Sequence, residues 1–221
     1  MAIVLALSGF VAVAESDGAP EVRRRERIAR RGIEAVLSFV LETDVAVESV
    51  RLDGDANILE LGNLTIANPR GFDRDTPAMS FEKILVEAPP EVLFTSEPVL
   101  QNVTIQGGTV HAEINPRRGV NIKRLMDSAD RFKGPQLLPQ KRWVVEQGLM
   151  EDFALKVTTQ LLRRETRERQ VDSLEMTLKR DDGRGFTTSE ALTHVLGQLI
   201  DELDLLNLED PIIPLGELFR R

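Results

Sequence analysis

His111 and His194 are the chain's two histidines and cysteine is absent, so thiolate chemistry and ordinary zinc coordination lack their ligands. His111 falls on the polar phase of Thr109-Val-His-Ala-Glu-Ile114, with no second histidine or acidic cluster at matching spacing. His194 sits off the centre of an apolar helical stripe, the ordinary place of a structural or exposed histidine. No serine occupies a G-x-S-x-G elbow, and neither a Walker A loop nor a dinucleotide fingerprint occurs. Asp181-Asp-Gly-Arg-Gly-Phe186 sets carboxylates beside glycines, but its spacing matches neither an EF-hand nor a P-loop, and it reads as a turn. The remaining carboxylates fall mainly on the polar phases of strands, where solvation accounts for them. The residues therefore predict a non-enzymatic protein with no catalytic residue, no metal and no cofactor.

What the sequence offers instead is apolar surface laid out in a repeated form. Leu61-Gly-Asn-Leu-Thr-Ile66 reads apolar, two mostly polar, apolar, any, apolar. The form recurs at Val47–Leu52, Phe81–Val86 and Leu100–Ile105, and more loosely at Val145–Met150 and Val171–Met176. The last two apolar residues of each unit alternate as a half-buried strand does. The first sits three positions earlier, on the opposite face of a flat strand. One extra residue, a bulge, returns it to the same face and bends the strand. Turn signals at Asp53-Gly54-Asp55, Asn68-Pro69, Pro89-Pro90 and Gly107-Gly108 support strands over helix.

Repeated bends predict a curved sheet with one apolar face. On it Val50, Leu52, Leu64, Ile66, Ile84, Val86, Val103 and Ile105 are the candidates to line a lipid groove. If helices at 33–41 and 191–203 fill that face, the same residues are ordinary core.

The elements around the strands follow in order. Ala2–Ala14 is an apolar run ending in Ala12-Val13-Ala14, a small-x-small cleavage form, although a basic leader is missing. It is short of the roughly 20 apolar residues of a spanning helix, so residues 1–14 read as an export signal or truncated anchor. Arg23, Arg24, Arg25, Arg27, Arg30 and Arg31 then precede Ile33, Val36, Leu37, Val40 and Leu41, an amphipathic helix within 15–43. The arginines are candidates for contact with anionic headgroups or, alternatively, a solvated helix face.

Strands occupy 45–115, with Gly107-Gly108 marking a bend, not a reversal. Asn121 reads as the N-cap of a short helix, and Gly134–Pro139 as a linker. The second strand group starts near Arg142, with Phe153–Thr158 as its own strand and Arg163–Arg169 as a charged, protruding turn. Thr187-Thr-Ser-Glu190 is a capping box opening an apolar helix, and the tail Ile212–Phe219 is apolar enough to dock. Residues 15–221 thus predict one α+β domain with a mainly antiparallel, curved sheet of about seven strands. Its net charge of -8 argues against nucleic acid as a partner.

Val45–Phe132 resembles the N-terminal region of AsmA-like bacterial envelope proteins. The likeness is carried by the helix Ile33–Leu41, then Leu64-Thr-Ile-Ala-Asn-Pro-Arg-Gly-Phe72, Val103-Thr-Ile-Gln-Gly-Gly108 and the helix at Asn121–Leu125. Residues 142–203 resemble the distal strands and Thr-capped helix of small AsmA-like proteins. The resemblance implies a periplasmic protein at the inner membrane, with a curved sheet whose groove binds or transports phospholipid or acyl chains. The alternative reading is a structural subunit docked on a membrane protein complex.

Overall fold

The computed structural model describes residues 19–53, 57–88, 92, 95, 97–132, 142–160, 164–178, 180 and 182–208. The run Ala2–Ala14, the linker Gly134–Pro139 and the tail Ile212–Phe219 lie outside the described residues. Helix α1 (Ala19–Leu41) leads into strands β1 (Val45–Asp53), β2 (Ile58–Ile66), β3 (Met79–Glu87), β4 (Val99–Gln106), β5 (Thr109–Asn115) and β6 (Gly119–Val120). Helix α2 (Asn121–Arg131), strands β7 (Val144–Gln160) and β8 (Arg164–Leu178) and helix α3 (Thr188–Leu208) follow. The fold is α+β, with the eight strands of the described residues in one curved, mostly antiparallel sheet.

Neighbours β1 to β4 pair antiparallel in chain order. β7 then inserts parallel to both β4 and β5, and β8 folds back on β7 as a long hairpin. Val99 pairs with Val144 and Ile114 with Thr159, one unbroken offset along β7. β4 and β5 are therefore one lane bent at Gly107-Gly108, as the glycines predict. Gly108 has φ 116°, and a Cβ there would lie 2.0 Å from the Ser80 carbonyl oxygen, so only glycine fits.

In the Val47, Leu61, Phe81 and Val171 units the extra residues of neighbouring strands fall opposite one another. Val47 pairs with Leu64 and Val50 with Leu61. Leu61 pairs with Ile84 and Leu64 with Phe81. The line continues through Ile84 with Ile105, Ile105 with Met150, Met150 with Leu174 and Phe153 with Val171. Each strand takes its extra residue at the same level as its neighbour, so the ladder keeps register and the whole sheet creases. Three residues along that crease hold left-handed backbone: Asn63 at φ 50°, Gly107 at 64° and Asp152 at 54°. Polar pairs fill it, with the Asn63 amide donating to Glu48 and the Gln106 amide to Glu151. One register shift does occur, between Val145 and Gly148 of β7 against β8.

Two further expectations are corrected. Val145–Met150 and Phe153–Thr158 are not separate strands but the two arms of β7, joined through Asp152. Arg164–Arg169 is strand, not a protruding turn: Arg167 pairs with Val157, Lys156 meets Glu168 at 3.3 Å, and Arg169 meets Glu202 of α3 at 2.8 Å.

α1 closes one edge of the sheet. The N–H of Val45 donates to Ser38 Oγ at 2.9 Å and that of Val47 to Glu34 Oε1 at 3.0 Å, while Arg30 Nη1 donates to the Glu48 carbonyl at 3.3 Å. Arg30, Glu34 and Ser38 lie four residues apart, on one helix face. Edge groups that would recruit another strand are thereby taken up. On its inner face α1 contributes Ala29, Ile33, Leu37, Val40 and Leu41 to the core. At the other end α3 opens as the capping box predicts: Thr187 N–H donates to Glu190 Oε2 at 2.8 Å, and Glu190 N–H to Thr187 Oγ1 at 3.4 Å.

Candidate functional site

The crease decides where the candidate groove residues point. By returning Val47, Leu61 and Phe81 to the face of the apolar residues that follow them, it brings Val50, Leu64, Ile66, Ile84 and Val86, with Val103 paired to Val86, onto one surface. That surface is closed: the six are between 2% and 7% exposed. They share a single buried cluster with Ile33 and Leu37 of α1 and with Leu196, Leu199 and Ile200 of α3. The helices thus supply the apolar partners that an open groove would leave to a ligand, and these positions are packed core here. Ile105 is half-buried against the same cluster. Leu52, 41% exposed near the end of edge strand β1, is outside it.

A polar network lies beneath the Asn-Pro-Arg-Gly-Phe loop. Asn121 is wholly buried; its Oδ1 accepts from the N–H of Glu113 and of Ile122, both at 2.8 Å, and its Nδ2 donates to the His111 carbonyl and to Asn68 Oδ1, both at 2.7 Å. The side-chain amide thereby acts as a strand would, continuing the β5 ladder beyond the point where β3 departs. Asn68 in turn donates to the carbonyls of Asp73 and Thr76 at 2.9 and 3.0 Å, and Glu113 Oε2 accepts from the Asp73 N–H at 2.8 Å. These bonds fix the loop on β5.

The expected helix cap is displaced by one residue. Asn121 is the first residue of α2 and Val120 is the cap, while the Asn121 side chain serves β5, the Asn68 loop and the Ile122 N–H together. His111, expected on a solvated phase, is 5% exposed and bonded to Thr158 Oγ1 at 2.8 Å, because β5 is buried on both faces. Residue spacing carried no sign of this network beyond the Asn-Pro turn itself.

His194 stacks on Phe186, ring centroids 5.1 Å apart. Glu190 takes Arg180 Nη2 at 2.7 Å. Partial burial pushes its carboxyl up, but the Thr187 hydrogen bonds and the Arg180 charge outweigh that and hold its pKa below the ordinary value of 4.5. A surface hollow of about 580 Å³ near the end of α1 is lined by Ser38, Thr43, Asn68, Arg70 and Arg74 together with Glu42 and Asp44, both charge signs mixed. Among the described residues no three histidine or acidic side chains converge as a metal set. Among them too, no helix is long and apolar enough to cross a membrane.

The arginines of α1 separate by side. Arg23, Arg24, Arg27 and Arg31 are exposed, whereas Arg25 and Arg30 are half-buried, Arg30 on the β1 edge. Phe39, on the exposed side of the same helix, is 71% exposed and meets Phe132 edge to face at 5.6 Å. Comparison with family models, curated proteins and solved structures finds no match for this chain.

Proposed function

We propose that this chain is a non-enzymatic, AsmA-like periplasmic protein that binds or shields lipid acyl chains at the inner membrane. The shelter is the apolar face of the creased sheet, filled by the helices in this structure and opened to an acyl chain when they lift. One observation carries the reading: the crease turns apolar residues of neighbouring strands to a single face, and that face is closed by amphipathic helices that are no part of the strand ladder. α3 packs on α2 and meets the sheet at β7 and β8, with Leu196, Leu199 and Ile200 in the common core. Lifting it exposes continuous apolar surface without breaking the strand ladder. The buried polar side chains support a non-catalytic role, since Asn68, Glu113 and Asn121 serve backbone groups of the loop and sheet.

Native mass spectrometry of protein extracted gently from its own cells tests this. A retained phospholipid or fatty-acyl mass is expected; protein that emerges bare from intact membranes contradicts it. A second reading, an accessory subunit of a membrane complex, draws on β8, whose outer edge pairs with no strand among the described residues. It predicts a stoichiometric protein partner in the same spectrum.

A further inference from the structure

α1 leaves one face unused by the fold. Arg24, Arg27, Arg31, Ala35 and Phe39 are its exposed stripe, with Ile28 half-exposed beside them. The stripe runs roughly 22 Å along the helix at 1.5 Å per residue. It carries no carboxylate: Glu34 is turned to the β1 edge, where it accepts from Val47. Among the described residues no ion pair engages these three arginines. In a chain of net charge -8 this concentrates positive charge on one line and ends it with the most exposed large apolar side chain described.

We infer that this stripe is an interfacial docking face for an anionic bilayer, with the arginines on lipid phosphates and Phe39 seated among the upper acyl carbons. Basic residues followed by an aromatic on one exposed helix face match that boundary, where charge meets phosphate and a ring leaves water. The opposite helix face is held by the core and the β1 edge, so docking needs no unfolding. The helix lies flat on the membrane, and the sheet is carried with β1 nearest the lipid. The inference rests on the lipid reading above and adds a surface to it.

Because the chain has no cysteine, single labels can be placed at will. The full chain carrying Phe39→Cys with a nitroxide is mixed with phosphatidylcholine vesicles containing about one-third phosphatidylglycerol. The label is expected to become accessible to oxygen and shielded from a water-soluble relaxant, whereas one at Thr104→Cys on the sheet stays in water. Reversing Arg24, Arg27 and Arg31 to Glu, all exposed, is expected to weaken this immersion about a hundredfold. Vesicles of phosphatidylcholine alone are expected to give none. A position-39 label that stays water-accessible on bound protein overturns the inference, as does immersion unchanged by the triple reversal. If the protein still carries co-purified lipid in that case, the docking face fails and the lipid reading stands. Immersion by protein that holds no lipid upholds the docking face and removes the shelter.

Discussion

Asn121 illustrates how much one buried side chain does. Deleting its amide leaves the Glu113 and Ile122 N–H groups, the His111 carbonyl and Asn68 Oδ1 short of a partner in a buried site. Asn121→Ala should destabilise by about 3 kcal/mol, read as a lower denaturant midpoint at unchanged slope. The left-handed residues give a second prediction at this scale. Asn63→Gly relieves backbone strain and should change stability by less than about 1 kcal/mol, whereas Asn63→Val should cost about 2 kcal/mol, because a β-branched residue resists positive φ. Equal effects from the two would mean that φ at this position does not set the crease. None of this was legible at the residue scale in advance. A sequence records that Asn63 and Asp152 are turn-prone, but not that they fall in line with Gly107 across neighbouring strands.

At the scale of elements, periodicity read well where local chemistry decides the outcome. The α1 stripe from Ile33 to Leu41 and the Thr187–Glu190 box were both visible, since spacing and capping act within one turn. Strand limits were less legible. Arg164–Arg169 looks like a loop by charge, yet pairing with β7 and contact with Glu202 of α3 absorb those charges. Two predictions belong here. Glu34→Ala with Ser38→Ala frees two edge N–H groups of β1 and should both lower stability by roughly 2 kcal/mol and speed aggregation, measured by light scattering. Glu190, its folded pKa depressed, stabilises the fold above the unfolded value of 4.5, and that contribution is lost as pH falls through the folded value. Glu190→Gln should therefore remove part of the stability at pH 7 while flattening its decline below pH 4.5. An unchanged acid limb would show that the capping box carries no such linkage.

For the whole molecule, the repeated units announced a bent sheet with one apolar face, and the fold has it. What they could not decide was whether the helices at 33–41 and 191–203 cover that face, because burial of Val50 or Ile84 depends on where two distant helices come to rest. Ile66, 7% exposed in the core, sets a bound on the closed state: Ile66→Asp should unfold the protein instead of yielding a folded, lipid-free form. The central claim is that acyl chains enter beneath those helices. It is tested most directly by loading the protein with a phospholipid bearing a photoactivatable acyl tail and mapping the adducts by peptide mass spectrometry. Adducts on Leu64, Ile84 and Val103 are predicted; adducts confined to the outer surface, with these strands unlabelled, would contradict the account.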